Sequence, residues 1–165
     1  MSLVTISSLE RITASKLAEM LLAAQAVEGV SGTGTGTGTG TEKGEGAGES
    51  SIAIVDVRDD DHIGGHIRNS MHFPSLSLDA TMPALLRKLA DKDTVIFHCA
   101  LSQQRGPGAA LRYLREREAA ASGGEVNKAQ KVYVLDRGFV GWQEVYGPDA
   151  RLTEAYRKEI WQEGY

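Results

Sequence analysis

The feature that most constrains this chain is the stretch from Thr94 to Pro107, which contains the only cysteine of the sequence. The apolar run 95–97 is short and β-branched or aromatic, which favours a strand over a helix. Pro107 suits the first turn of a helix, where its missing N–H is not needed. The stretch therefore predicts a buried strand, a tight loop and a helix, with Cys99 and Arg105 between the two elements.

This arrangement of a strand, a loop and a helix predicts a site for an oxyanion. A loop that enters a helix can turn several backbone N–H groups inward, and the helix dipole adds to their field. Cys99 would lie at the mouth of this nest, where its thiolate is favoured, and Arg105 would close the far side with a planar guanidinium. A thiolate that faces a bound phosphate is placed for in-line attack. The alternative, an inert buried thiol, is disfavoured because Cys99 ends the strand instead of lying within it.

We therefore expect Cys99 to be the nucleophile and Arg105 to stabilise charge on the oxyanion. The predicted oxyanion-binding loop consists of Ala100, Leu101, Ser102, Gln103, Gln104 and Arg105.

Length and charge limit the other possibilities. The chain has 165 residues, a net charge of −4, 41% apolar residues and one cysteine. This length suits one domain with a single core, and the negative charge argues against general nucleic-acid binding. A single cysteine excludes an internal disulfide. No apolar run is long enough to span a membrane, and residues 1–5 lack the pattern expected of a secretory signal. We expect a single domain over residues 1–165, located in the cytoplasm, the nucleus or both, with no membrane or nucleic-acid partner.

The hydrophobic pattern around the loop predicts alternating strands and helices. Strands are expected at 51–57, around 95–97 and at 131–135. Helices are expected at 13–26, 81–90 and 106–121. A loop and a short helix are expected to follow the last strand from residue 136. Thr13 is the expected N-cap of the first helix. Ala110, Leu111 and Leu114 are expected to face the sheet. This alternation predicts an α/β fold with a mostly parallel central sheet, helices on both faces, and a ligand site at the carboxyl ends of the strands.

Two segments lie outside this alternation. Residues 29–49 are built on a Thr-Gly tract that has almost nothing to bury, so we expect a flexible, solvated insert. A nucleotide-binding loop is excluded there because no glycine opens a G-x-G-x-x-G motif and no strand precedes the tract. Residues 151–163 carry apolar side chains at helical spacing, which predicts a C-terminal helical tail that docks on the domain or binds a partner.

Two polar clusters follow the first predicted strand. The acidic run 59–61 could supply a general acid, but a run of charges is more typical of a solvated turn. His62, His66 and His72 do not have the spacing of a metal site, and no second cysteine supports one. We expect a structural role for His66 and no metal or organic cofactor.

Three motifs resemble those of one family. The segment from His98 to Pro107, with His98-Cys99-x5-Arg105, resembles the active-site loop of the rhodanese-fold phosphatases, which include the mitotic-inducer dual-specificity phosphatases and the related eukaryotic arsenate reductases. Residues 56–74 resemble the first shared motif of the rhodanese superfamily, and residues 135–142 resemble the second. The resemblance covers about residues 51–146 and implies a rhodanese-like fold. It also implies supporting, mainly structural roles for His98, Asp56 and Arg58.

The resemblance implies first a cysteine-dependent phosphatase of the protein tyrosine or dual-specificity type, acting on a phosphoprotein. The mitotic-inducer phosphatases carry an acidic residue within the loop, whereas this sequence has Ala100, Leu101, Gln103 and Gln104 there. The source of the proton for the leaving group therefore stays open, and an aryl leaving group would need that proton least.

Three other functions are compatible with the family. An arsenate reductase would need glutathione and glutaredoxin from outside, because this chain has no further thiol, and the cysteine-rich C-terminal metal site of the plant members is missing. A thiosulfate sulfurtransferase is disfavoured by the length of the loop. A non-catalytic interaction module is disfavoured by the intact pair of Cys99 and Arg105.

Overall fold

The structure is a computed structural model, and it describes residues 5–31, 51–120 and 130–163. Within these ranges the strands are β1 (Glu10–Ile12), β2 (Ile52–Asp56), β3 (His66–Ile67), β4 (Met71–His72), β5 (Thr94–His98), β6 (Lys131–Leu135) and β7 (Thr153–Glu154). The α-helices are α1 (Ala14–Ser31), α2 (Leu78–Leu89), α3 (Arg105–Ala120), α4 (Gly138–Tyr146) and α5 (Lys158–Gln162).

Five of these strands form one parallel sheet with the order β1-β6-β5-β2-β4. β5 is the central strand, and its residues Val95, Ile96 and Phe97 are completely buried. A strand with helices on both sides reads as a continuous apolar run, which is why this short segment could be recognised in the sequence. The predicted α/β class with a mostly parallel sheet is therefore confirmed.

The two faces of β5 contribute to two separate hydrophobic cores. Val95 and Phe97 pack in a cluster with residues of α2 and α3, whereas Ile96 packs in a second cluster with residues of α1 and α4. Successive side chains of a strand point to opposite faces of the sheet, so the sheet carries helices on both faces as expected.

The predicted helices are present, with differences at their ends and on one face. The Oγ1 of Thr13 accepts a hydrogen bond from the Lys16 N–H at 3.1 Å, which confirms the N-cap. α1 continues to Ser31 and so covers the beginning of the predicted insert 29–49, whose remainder lies outside the described residues. α2 begins at Leu78 instead of residue 81.

Ala110 is buried as predicted, whereas Leu111 and Leu114, which were also expected to face the sheet, are more exposed than expected. Both are only partly buried, whereas Ala109, Ala110 and Tyr113 are buried. The reason is the close packing at the start of α3, where a Cβ on Gly106 would lie 3.2 Å from the backbone of His98 and Cys99. This contact sets which face of the helix points inward, and residues three and four positions further along follow it.

The predicted helical tail 151–163 was only partly correct. Thr153 and Glu154 form β7, which pairs antiparallel with β3, and α5 starts after it at Lys158. Between them, Ala155 has a left-handed φ of 56°, which interrupts any helix at this point. The pairing of β7 with β3 fastens the tail to the domain through backbone hydrogen bonds as well as through the buried Leu152.

The remaining short strands, β1, β3 and β4, were not predicted from the sequence. Each has two or three residues, which is too short for a periodic pattern to appear.

Within the described residues, no helix is both long enough and apolar enough to cross a membrane.

The hydroxyl of Thr153 gives a test of the tail. It accepts a hydrogen bond from Trp142 Nε1 at 3.0 Å and donates one to the carbonyl of Tyr146 at 2.7 Å, and Trp142 is completely buried. We expect Thr153→Val to lower the free energy of unfolding by about 1 to 3 kcal/mol, because it leaves a buried N–H without a partner. Thr153→Ser keeps the hydroxyl and should cost clearly less. Urea unfolding of the two variants checks this, and equal losses would contradict it.

Candidate active site

The thiol of Cys99 lies where β5 ends and is held by the backbone of the loop that follows. Its side chain is buried, and its Sγ accepts hydrogen bonds from the N–H groups of Ser102 at 3.2 Å and Gly106 at 3.4 Å. The two donors come from the middle of the loop and from the first turn of α3. The loop therefore curves around the sulfur, as expected for an anion nest at a helix N-terminus.

A cavity of about 340 Å³ opens at this loop. It is lined by Cys99, Ala100, Leu101, Gln103, Gln104 and Arg105. The remaining residue of the predicted loop, Ser102, does not line this cavity. It is completely buried with a left-handed φ of 54°, and its Oγ has no hydrogen-bond partner among the described residues.

The first turn of α4 fixes the other side of the loop. The N–H of Phe139 donates to the carbonyl of Cys99 at 3.0 Å, and the N–H of Val140 donates to the carbonyl of Ala100 at 2.9 Å. Gly138 has a φ of 57°, and a Cβ there would lie 2.5 Å from both carbonyl oxygens. Glycine is therefore required both by the backbone conformation and by the approach of the loop. The resemblance of residues 135–142 to the second shared motif implies that this loop packs beside the active loop, and these contacts confirm it.

The side chain of Arg105 binds the acidic run 59–61, a contact that was not predicted from the sequence. Its Nη1 and Nη2 bind the two carboxylate oxygens of Asp61 at 2.8 and 2.6 Å, and Nη1 also contacts Asp59 at 3.3 Å. The expectation of a solvated turn was wrong for Asp59 and Asp61, whose side chains are only 12% and 17% exposed, whereas Asp60 is exposed. No local pattern could show this contact, because Arg105 lies far along the chain and reaches the run only through the fold.

These ion pairs shift the pKa values of all three groups. The hydrogen bonds from Arg105 lower the pKa of Asp61, and those from Ser75, Leu76 and Arg105 outweigh burial and lower the pKa of Asp59. The hydrogen bonds to Asp61 raise the pKa of Arg105. Both carboxylates are therefore ionised at neutral pH in this arrangement.

Asp56 and Arg58 form a buried ion pair beneath the site. Both side chains are completely buried, and Arg58 Nη2 donates to Asp56 at 2.7 Å and to the carbonyl of Gly65 at 2.9 Å. The guanidinium also lies 4.3 Å from the centre of the Phe139 ring. Burial alone would raise the pKa of Asp56, but the charge of His98 and the hydrogen bonds from Arg58 outweigh it and lower the pKa to about 2.

His98 connects this pair to the loop. Its Nδ1 lies 3.0 Å from the carbonyl of Cys99, and since a carbonyl only accepts, Nδ1 is the donor. Its Nε2 lies 3.8 Å from Asp56, and burial lowers the pKa of the ring. The structure thus brings the three predicted supporting residues, His98, Asp56 and Arg58, together next to Cys99. His98 and Arg58 bind backbone carbonyls, and none of the three lines the cavity.

The three histidines after β2 form a stack and do not converge on a common point. The ring of His62 stacks on those of His72 and His66, with centroid distances of 3.8 and 5.6 Å. Burial lowers the pKa of His62 to about 4, although the charge of Asp56 opposes this. In the ranges that the structure describes, no group of three or more His, Cys, Asp or Glu side chains is arranged to hold a metal ion.

Comparison with known proteins agrees with this geometry. The model of the rhodanese-like domain family matches residues 41–145. The chain belongs to the rhodanese-like family. The match confirms the resemblance seen in its motifs, and the parallel five-stranded sheet with helices is the rhodanese fold.

Two curated relatives of this rhodanese-like domain carry different names. Dual specificity phosphatase Cdc25 of Arabidopsis thaliana is 42% identical over 108 residues, which cover 63% of this chain and 70% of the relative. Arsenate reductase 2.1 of Oryza sativa subsp. japonica is 44% identical over 108 residues, which cover 63% of this chain and 64% of the relative. Among solved structures, a yeast protein tyrosine phosphatase of the rhodanese family matches with a TM-score of 0.62 and 30% identity, covering 92% of this chain and 96% of that one.

Gly138 provides a first test of the site in this rhodanese-like domain. We expect Gly138→Ala to lower the free energy of unfolding by about 2 to 4 kcal/mol, because a side chain at positive φ is strained and its Cβ would collide with the loop carbonyls. Gly108→Ala is the matched control, since a Cβ there meets no atom within 4 Å. That change in α3 should stabilise the protein by about 0.5 to 1 kcal/mol. Urea unfolding measures both, and a neutral Gly138→Ala would contradict the role of this contact.

The pKa of His62 predicts how stability depends on pH. An unfolded chain takes up the His62 proton near pH 6.5, whereas the folded protein takes it up near pH 4. As the pH falls through this window, the unfolded state binds more protons, so the free energy of unfolding decreases. We expect His62→Gln to lose less stability than the unchanged protein between pH 7 and about pH 4.5, measured by urea unfolding. Equal losses in the two proteins would refute the assignment.

Proposed function

We propose that this protein is a cysteine-dependent phosphatase that hydrolyses phosphate monoesters, with phosphotyrosine in a protein as the preferred substrate class. The observation that carries the proposal is the position of Cys99, which lines the cavity together with Arg105 and whose Sγ accepts hydrogen bonds from two backbone N–H groups. A nucleophile, backbone donors and a fixed positive charge around one cavity match the requirements of phosphoryl transfer.

The reaction needs two displacements at phosphorus. In the first, the Cys99 thiolate attacks, the bond from sulfur to phosphorus forms, and the bond from phosphorus to the ester oxygen breaks. The leaving oxygen carries away the electron pair and takes up a proton. In the second, water attacks phosphorus, inorganic phosphate forms, and the sulfur leaves as a thiolate. Arg105 and the loop amides would stabilise the equatorial oxygens in both steps.

The absence of an acid in the loop favours aryl esters. Ala100, Leu101, Gln103 and Gln104 carry no acidic group, and Asp59 and Asp61 are held ionised by Arg105. An ionised carboxylate cannot donate a proton to the leaving oxygen. A phenolate is a far better leaving group than an alkoxide and departs without that help, so phosphotyrosine is favoured over phosphoserine.

An aryl phosphate assay tests the phosphatase proposal. We expect Cys99→Ser to reduce kcat for 4-nitrophenyl phosphate by at least about 10³-fold, because a hydroxyl is a much weaker nucleophile than a thiolate. Arg105→Lys should reduce it about 10²-fold, because an ammonium cannot offer two parallel donors. Arg112→Lys is the matched control, since Arg112 lies on the same helix but pairs with Asp79 and Glu116. It should keep full activity.

Thermal unfolding of the variants must accompany these assays, so that a lost fold is not read as lost chemistry. Substantial turnover by folded Cys99→Ser would refute the cysteinyl-phosphate mechanism.

Arsenate reduction is the second candidate, and the relative named arsenate reductase is the observation that favours it. Arsenate has the same charge and tetrahedral shape as phosphate, so the same loop would bind it. Reduction to arsenite needs two electrons from two thiols, and Cys99 is the only cysteine of this chain. Glutathione would supply the second thiol, and a glutaredoxin would then reduce the mixed disulfide. Arsenate-dependent oxidation of glutathione by the purified protein with glutaredoxin is the measurement that separates this activity from hydrolysis.

A further inference from the structure

The guanidinium of Arg105 has more N–H donors than its hydrogen bonds to carboxylates use. An arginine side chain has five N–H donors, two on each Nη and one on Nε. Nη1 donates to both Asp61 and Asp59, and Nη2 donates once to Asp61. Within the described residues, neither Nε nor the second N–H of Nη2 donates a hydrogen bond. These two remaining donors lie side by side on one edge of the planar group.

This edge has the geometry that a tetrahedral oxyanion requires. Two parallel N–H groups on one edge of a guanidinium can bind two oxygens of phosphate at once. Arg105 lines the cavity beside Cys99. The arginine therefore has its carboxylate partners on one edge and a complete bidentate donor pair on another.

The carboxylates that hold Arg105 are themselves held by the backbone. Asp61 Oδ1 accepts the N–H of Asp59 at 2.9 Å. Asp59 accepts the hydroxyl of Ser75 at 2.6 Å and the N–H of Leu76 at 2.9 Å. This network ties the guanidinium to the segment that precedes α2, so that its rotation about the long side chain is restricted.

We propose that Asp61 is a positioning residue for the oxyanion site, which fixes the orientation of the Arg105 guanidinium so that the Nε–Nη2 edge is presented to the substrate. The inference rests on the proposed function for its substrate but concerns the binding of any tetrahedral oxyanion. Because the guanidinium is already oriented, binding an anion costs little further conformational entropy of the Arg105 side chain. This preorganisation favours binding.

The proposal is tested by whether Asp61→Asn weakens or tightens the binding of inorganic phosphate. A negative charge beside the cavity repels an anion, so simple electrostatics predicts that Asp61→Asn tightens the binding of inorganic phosphate. Positioning predicts the opposite, namely a Kd for phosphate that rises about 10-fold, because the donor pair is no longer held in place. Calorimetric titration with inorganic phosphate measures it directly. Tighter or unchanged binding by folded Asp61→Asn overturns the proposal.

Asp60 offers the matched control, because Asp60→Asn removes the same charge from the adjacent position. Asp60 is exposed, and Arg105 donates to its neighbours instead. We expect Asp60→Asn to leave the Kd for phosphate within about twofold of the unchanged protein. A 10-fold loss in this control as well would overturn the proposal. Asp61→Asn retains an Oδ1 that accepts the Asp59 N–H, so the turn should survive, and thermal unfolding verifies this.

A double-mutant cycle separates positioning from a general structural role. If Asp61 acts through the planar fork of Arg105, then Asp61→Asn should change the Kd for phosphate by less than about twofold in an Arg105→Lys background. A loss of the same size in both backgrounds overturns the proposal. Phosphate binding requires no turnover, so these measurements stand apart from the aryl phosphate assay. A protein that binds phosphate in this Asp61-dependent way but hydrolyses no aryl phosphate refutes the phosphatase function and leaves the positioning role intact.

Discussion

The buried ion pair between Asp56 and Arg58 is the interaction on which the rest of the site depends. Asp56 ends β2, next to the central strand, and Arg58 extends from it to the carbonyl of Gly65 and to the ring of Phe139 on α4. His98, which ends β5, faces the same carboxylate. Two charges without solvent are stable only when each has close partners, so removing either one would leave the other uncompensated. The pair therefore couples the ends of two strands to the helix that holds the active loop.

One short segment supplies carboxylates to two arginines with different tasks. Asp56 points inward and satisfies Arg58, whereas Asp59 and Asp61 lie on the turn that follows and bind Arg105. The first pair is completely buried and belongs to the framework, and the second is partly exposed at the cavity. Because the turn with Asp59 and Asp61 follows directly on the strand that Asp56 ends, the framework that anchors β2 also determines where the guanidinium of Arg105 lies.

The parts of this structure that could be predicted are those specified by neighbouring residues. The apolar run 95–97, Cys99 and Pro107 lie in one continuous stretch, and this stretch folds as a strand, loop and helix with the thiol between them. The contact of Asp61 with Arg105 has no such local signal, since the two residues meet only when the loops after β2 and β5 come together at one edge of the sheet. The apolar residues of the tail have helical spacing, but this pattern does not show the left-handed backbone of Ala155, which separates the strand β7 from the helix α5.

The two functions proposed for this protein would use the same oxyanion site and would differ in the step that follows binding. Phosphate and arsenate have the same shape and charge, so backbone donors around Cys99 and the fork of Arg105 offer little to distinguish them. Hydrolysis needs a leaving group that departs readily and then a water molecule, and the loop of this protein supplies no acid to assist. Reduction needs a second thiol, and this chain has none beyond Cys99. In the proposed mechanisms the bound oxyanion therefore decides between the two reactions, because an external thiol can reduce arsenic(V) bonded to Cys99 but cannot reduce phosphorus(V), which water releases as phosphate.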